Sequence, residues 1–201
     1  MFVNNPYAQA GWHNPQNPNS INGTPWNVAA RTPPTFGALP SPDSRPPSFL
    51  TFEFSLNPTI FNSIVTGPKK NKYFEISTAA GTTTISKPGS QFAMIVWSQH
   101  PTVEASGVLA RQRATDFLRL SADHSHRSMI IAGRNYAWVP RESGIYLYSS
   151  GPNLPTEYAR LTLKADAAKV VLEITSEAFQ AGLFEPCIIS AVLLFCERSI
   201  D

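Results

Sequence analysis

From Phe49 onward the chain alternates between apolar and polar positions in short runs. Phe49-Leu-Thr-Phe-Glu-Phe-Ser55 has period two, and so does Lys72-Tyr-Phe-Glu-Ile-Ser-Thr78. Between and after them lie 60–65, the threonine-rich 82–87, 92–98 and 102–106. A second series follows at 127–131, 135–139, 145–148, 157–163 and 169–175. These runs are rich in aromatic and β-branched residues, which suit a pleated, half-buried surface. Gly67-Pro68, Gly81, Pro88-Gly89, Gly133-Arg-Asn135 and Ser149-Ser-Gly-Pro152 punctuate them as turns. Only Arg111–Leu118 breaks the pattern, and it reads as one or two helical turns. The pattern predicts an all-β domain of roughly ten to twelve strands, a sandwich or a barrel.

The end of the chain follows a different rule. From Cys187 to Cys196 nearly every residue is apolar. Glu185-Pro186 is a helix-start signal, because proline suits the first turn and glutamate favours the positive end of the helix dipole. The spacing predicts a helix over about 186–199. The apolar part is ~15 Å long, half of a ~30 Å hydrocarbon core, so a membrane span is disfavoured. Ile188, Ile189, Val192, Leu193, Leu194 and Phe195 surround the helix axis. A helix that is apolar all round must be enclosed by protein. A closed or nearly closed antiparallel barrel, with this helix buried inside it, satisfies that need.

Composition separates the first quarter of the chain from the rest. Ten of the 18 prolines fall in residues 1–48, where no helical or strand period survives. That stretch, 1–48, is expected to be a disordered Pro/Asn-rich arm. Its Tyr7, Trp12, Trp26 and Phe36 suit docking to a protein partner. The domain proper is expected at 49–201. The opening MFVNNPYAQA lacks the basic and apolar regions of a secretory signal. Asn22-Gly-Thr24 matches a glycosylation acceptor, which has no meaning off the secretory route. Cys187 and Cys196, nine residues apart on one helix, would lie ~13 Å apart along the axis, too far to bridge. Both read as buried hydrophobes in a reducing compartment, so the expected location is cytoplasmic, with peripheral membrane association as the variant.

The strand pairs, the short helix midway, the hairpin Gly133-Arg-Asn-Tyr-Ala-Trp-Val-Pro140, the pair Tyr158–Leu163 and Lys169–Thr175, and the apolar terminal helix carry a resemblance. Over roughly Phe49 to Ile200 the chain resembles an uncharacterised fungal domain family, itself similar to the tubby C-terminal and LURP-one-related group. That resemblance implies a barrel of about twelve strands around a C-terminal helix. In tubby proteins such a barrel binds phosphoinositide headgroups through basic residues, and phospholipid scramblases are related. The tubby pattern of lysines and arginines does not map onto this chain residue by residue, so lipid binding follows from fold alone.

Charge and motif content narrow the chemistry. The net charge of +2 gives no general attraction to nucleic acid or membrane. Lys69-Lys-Asn-Lys72 forms a basic turn, and with Lys87, Arg111 and Arg113 it is a candidate patch for an anionic headgroup. The alternative is a solvated turn whose lysines guard strand edges. Asp123-His-Ser-His126 is the most metal-like feature: on a strand, His124 and His126 would share a face, but no third ligand follows nearby. No nucleophile elbow, zinc-protease motif or glycine-rich phosphate loop occurs. Trp97, Tyr136 and Trp138 sit in alternating strands and read as core, which argues against base stacking and against nucleic acid. The expected function is a non-catalytic, intracellular binding or scaffold module without a cofactor. The alternatives are a peripheral anionic-lipid binder working through the basic turn, and an enzyme of unrecognised type.

Overall fold

The computed structural model of the chain describes residues 48–151, 155–164 and 168–201. The expected arm at 1–48, its four aromatics and the Asn22 acceptor lie outside the described residues, apart from Ser48. Ser48 is tied to the domain: its carbonyl accepts from the Ser176 N–H at 2.9 Å.

All-β is the observed class. The described strands are Phe49–Leu56 (β1), Ser63–Thr66 (β2), Lys72–Ala79 (β3), Thr82–Lys87 (β4), Ser90–Val96 (β5), Thr102–Ala105 (β6), Leu109–Arg113 (β7), Arg119–Leu120 (β8), Arg127–Ile131 (β9), Arg134–Arg141 (β10), Gly144–Ser149 (β11), Glu157–Lys164 (β12) and Lys169–Thr175 (β13). They form one antiparallel sheet in the order 7-6-5-4-3-2-1-13-12-11-10-9-8. Two meanders run outward from the central β1–β13 pair, in which Phe52 faces Leu172 and Phe54 faces Val170. The count is 13, not ten to twelve. The additions are β7 and β8, which carry Arg-rich, weakly apolar sequence without the alternating signature. The β9–β10 turn is Ala132-Gly133, both at positive φ (49° and 75°), with Ile131 opposite Arg134. That is the two-residue geometry whose twist matches a hairpin, one residue earlier than expected.

The sheet is not closed, in contrast to the expected barrel: its edges β7 and β8 do not pair. It nevertheless curls strongly. Thirteen flat strands at ~4.8 Å would span ~58 Å. Only residues 114–118 separate β7 from β8, a reach of ~20 Å. That link contains one helical turn, Ala114–Phe117 (α1), with Ala114 and Phe117 buried. The laddering stops there because a helical turn occupies the gap and uses Ala114 N–H on the Pro101 carbonyl.

The core sits on the concave side and includes Phe52, Phe54, Phe74, Ile85, Ile95, Trp138, Leu147, Leu161 and Leu172, each at most 1% exposed. After β13, Thr175 caps a short helix, Ser176–Gln180 (α2), by accepting from the Ala178 N–H at 3.1 Å. The last helix, Phe184–Leu194 (α3), starts two residues earlier than expected and ends five earlier. Pro186 stands at its third position, where the missing N–H still costs no hydrogen bond. From Cys187 to Leu193 no residue exceeds 2% exposure, so the helix is enclosed on every side by its own domain. Phe184 anchors its start among Phe52, Tyr73, Phe74 and Phe179, with ring centroids 4.2–5.9 Å away. Cys196 lies past the helix end, and both cysteines are free and buried.

Candidate binding surface

The structure does not assemble the six candidate cations. Lys69 and Lys70 in the β2–β3 connection, Lys72 at the start of β3 and Lys87 at the end of β4 lie at one end of the sheet. Arg113 lies opposite Thr102, on the row that runs through Val96 and Thr82 to Ala79 at the far end. Five residues of β4 separate that row from Lys87, ~17 Å. Arg111, on the edge strand, borders a cleft with Gln91 and Glu104 nearer the middle of the sheet.

Two of the four clustered lysines are already engaged. Lys72 pairs with Glu75 at 2.6 Å. Lys87 points inward, 4.5 Å from the Phe92 ring centroid, and its Nζ donates to Glu185 of α3 at 3.1 Å. It seals the core where the helix begins. Lys69 and Lys70 are exposed, both at positive φ (62° and 59°), and neither has an ion-pair partner among the described residues.

His124 and His126 are in a loop, not on a strand, and His124 has φ 58°. Asp123 organises that loop. Its Oδ1 accepts from the Ser121 hydroxyl at 2.6 Å, the Ser125 hydroxyl at 2.8 Å and the Ser125 N–H at 3.1 Å. The Ser121 and Ser125 donors hold its carboxyl well below the usual carboxylate range. Among the described residues no three metal-ligating side chains converge. Burial pushes the Cys187 and Cys196 thiols up, away from the reactive thiolate. Glu53 and Glu173 are held by Lys169 and Arg160, and Asp201 by Arg127. These carboxylates are spent on ion pairs.

A surface that alternation alone did not reveal lies on the convex face of β8–β11. Tyr136 and Trp138 of β10 point into the core, at 4% and 1% exposure, so Ala137 and Val139 point out. On β9, Met129 is inside and Ile130 outside, 66% exposed. On β11, Leu147 is inside and Tyr146 and Tyr148 are outside, their rings stacked at 6.3 Å. Past the last ladder pair, Asn135 O accepts from Ser150 N–H at 2.9 Å, which continues the β10–β11 pairing. The outer side here therefore carries Ile130, exposed, with half-buried Val139, Tyr146 and Tyr148, and Ala137 covered among them. The neighbouring outer face on β12, β13 and β1 presents ion pairs instead, Arg160–Glu173 and Lys169–Glu53.

Three clefts, of about 380, 890 and 500 Å³, border Ser150; the first takes in core-facing Tyr136, the second core-facing Met129 beside Ile130, and only the third is bounded by the outward Val139 and Tyr148. Each has one arginine on its wall: Arg134, Arg119 and Arg141 respectively. All three arginines are exposed, and none has an ion-pair partner among the described residues. Asp116 and Asp201 border the 890 Å³ cleft, the latter already bound to Arg127. The sequence carried a signal for this face. Met129-Ile-Ile131 and Tyr136-Ala-Trp-Val139 are apolar at consecutive positions. In an antiparallel strand that means both faces are apolar, so the outer one is covered or used.

No family model and no curated protein matches the chain. Among solved structures, an Arabidopsis thaliana protein is similar at 12% identity and a TM-score of 0.38, over 76% of this chain and 96% of that one. A likeness that faint carries no functional argument, and the fungal family and the tubby-like group remain a resemblance read from sequence.

Proposed function

We propose that this protein is a non-catalytic binding module that holds a protein partner on the convex face of β8–β11. The scaffold for it is a barrel-like sheet whose 13 strands curl around α3, with α1 standing in for the missing ladder between β7 and β8. The observation that carries the reading is the apolar outward side of three adjoining strands, Ile130 on β9, Val139 on β10 and Tyr146 and Tyr148 on β11, with a cleft of about 500 Å³ beside Val139 and Tyr148. An interface core is apolar and aromatic with arginine at hand, and this face has that make-up. The non-catalytic reading accords with a core packed by side chains, thiols buried in it, and Glu53, Glu75, Glu173, Glu185 and Asp201 engaged in ion pairs. The test is a photo-crosslinking residue placed at Ile130 and, separately, at exposed Ser77 on β3, in cells. A discrete adduct from position 130 and none from 77 is expected. Equal adducts from both positions, or none from 130, refute the assignment.

One observation favours a second reading, an anionic surface docked through the β2–β3 turn. Lys69 and Lys70 are adjacent, exposed and free of ion pairs among the described residues, in a turn held by Gly67 N–H on Asn71 O at 2.9 Å. Flotation with anionic vesicles at low salt tests it. Retention that is lost in Lys69→Glu/Lys70→Glu supports this reading, and absence of retention, or retention unchanged by the reversal, ends it.

A further inference from the structure

We infer that residues 195–201 form a releasable latch, which ties the two meanders of the sheet together where no ladder joins them; this goes beyond the binding-module reading and does not depend on it. After α3 ends, the chain turns at Glu197, which has φ 52°. Arg198 then lies over two aromatic rings of the first meander, 4.7 Å from the Phe61 centroid and 5.3 Å from that of Trp97. Those rings are held in place: they meet edge to face at 5.4 Å, and Trp97 Nε1 donates to Thr83 Oγ1 at 2.7 Å. Ile200 is buried, at 4% exposure. Asp201 pairs with Arg127 at the start of β9, in the second meander. Arg127 also donates to the Leu118 carbonyl at 3.0 Å, in the link between α1 and β8. Trp97 follows β5, and β5 and β9 stand nine strand-to-strand steps apart in the sheet, ~43 Å if it were flat. From Arg198 to Asp201 the chain itself reaches only ~10 Å. The segment therefore crosses the short way, from the margin of one meander to the margin of the other.

The holds of this segment are of a kind that opens locally. Arg198 is exposed, and Asp201 keeps 43% of its side chain in solvent. An exposed cation–π contact or ion pair shifts a local equilibrium by about fivefold or less. Cys196 and Ile200 are its buried side chains, whereas α3 is covered continuously from Cys187 to Leu193. A segment so lightly held opens at far less cost than the whole domain. Release frees Arg127 and withdraws Asp201 from the wall of the 890 Å³ cleft beside Ile130, so the latch also sets the shape of that cleft.

The experiment is iodoacetamide labelling of the full chain in urea concentrations below the unfolding transition, with each cysteine read by mass spectrometry. Cys196 belongs to the latch, its Sγ donating to the Arg198 carbonyl at 3.4 Å, whereas Cys187 lies within α3. Both are expected to label slowly. Cys196 should react at least about tenfold faster than Cys187, with a urea slope less than about half as steep, because releasing 195–201 exposes little surface. Equal rates or equal slopes at the two cysteines mean that the segment parts only when the whole domain unfolds, and they overturn the inference. Arg198→Ala and Asp201→Asn are each expected to raise the Cys196 rate about threefold. Hydrogen exchange then tests the tie between the meanders. The Arg198 guanidinium rests on the first meander, yet Arg198→Ala is expected to speed the amides of 119–131 about threefold, as Asp201→Asn does, with the same shallow urea slope. Acceleration of 119–131 by Asp201→Asn alone reduces that ion pair to a local contact and also overturns the latch. Both substituted side chains are largely in solvent, a melting curve confirms that each variant folds, and the comparison of the two cysteines in the unaltered chain needs no variant.

Discussion

Ile189→Ala is the most direct probe of the enclosed helix. Ile189 is 0% exposed, on the second turn of α3, in a helix whose other faces are equally covered. The substitution removes three carbons from a site with no solvent to fill it and little freedom to collapse, because α3 is surrounded by strands. Such truncations cost ~2–5 kcal/mol, from the lost transfer energy plus the cavity. Against a net stability of ~5–15 kcal/mol that is a large fraction. For a domain of this size, a loss of ~3 kcal/mol corresponds to a fall in Tm of roughly 6–12 °C. Ile130→Ala is the matched control: the same residue type, 66% exposed, expected to stay within about 0.5 kcal/mol. Near-ultraviolet circular dichroism during thermal and urea unfolding reads both, since Trp138 is packed in the core at 1% exposure. A loss below ~1 kcal/mol at Ile189, or equal losses at 189 and 130, would show that α3 is not buried as described. Deleting 186–201 is the extreme form. It strips Ile188, Ile189, Val192, Leu193 and Ile200 from the core at ~1.5–3 kcal/mol each, and no soluble folded product is expected.

Three further outcomes follow from the polar contacts. Hydrogen bonds from Lys169, Arg160 and Arg127 hold the Glu53, Glu173 and Asp201 carboxyls below their ordinary values of 4.5, 4.5 and 3.8. A lowered folded pKa gives stability that is complete above the ordinary value and is lost as pH falls through the folded one. The urea midpoint is therefore expected to be flat above about pH 5.5 and to drop below pH 4.5, less steeply in Glu173→Gln; an equal drop in that variant contradicts the assignment. Cys187 and Cys196 should resist iodoacetamide at pH 8 in the native protein and both react in urea, because burial raises each thiol; rapid native labelling at Cys187 would place it at the surface. In a Lys87→Ala/Glu185→Ala cycle the coupling is expected at ~0.5–1 kcal/mol, discounted because Lys87 is 39% exposed, and zero coupling removes its role as a seal on α3.

Much of the fold is legible in the sequence because two periodicities carry it. The runs at 127–131 and 169–175 coincide with β9 and β13, and those at 49–55, 72–78 and 82–87 agree to within a residue. The apolar tail is a helix inside the domain because no stripe of it tolerates water. What escaped lacks such a pattern. Leu109–Arg113 is an edge strand whose Arg111 and Arg113 face solvent, so its composition resembles a loop. Arg119–Leu120 is two residues long, too short for any period to show. The open margin between them is invisible to local reading, since closure depends on where two edges meet after the whole sheet has curled.

The binding surface illustrates the same divide. Reading basic residues along the chain joined Lys69–Lys72 with Lys87, Arg111 and Arg113, but a strand moves the chain ~3.3 Å per residue, so neighbours in sequence end at opposite ends of the sheet. Arg119 comes from β8, while Arg134 and Arg141 stand at the two ends of β10 and, seven residues apart, on opposite faces of it. The pairing of β8 with β9 and of β9 with β10 sets Arg119 opposite Ser128 and Asn135 opposite Ile130, so those side chains share the outer face with Ile130. What the sequence did hold was the consecutive apolar character of Met129–Ile131 and Tyr136–Val139. Trp138 explains only half of that run, the half that faces the core. A strand that needed only a core would have kept polar residues at Ile130 and Val139, as β1 does at Thr51, Glu53 and Ser55. The departure from alternation is thus the physical mark of a second apolar face, and an exposed one is stable against aggregation only while something covers it or charges surround it.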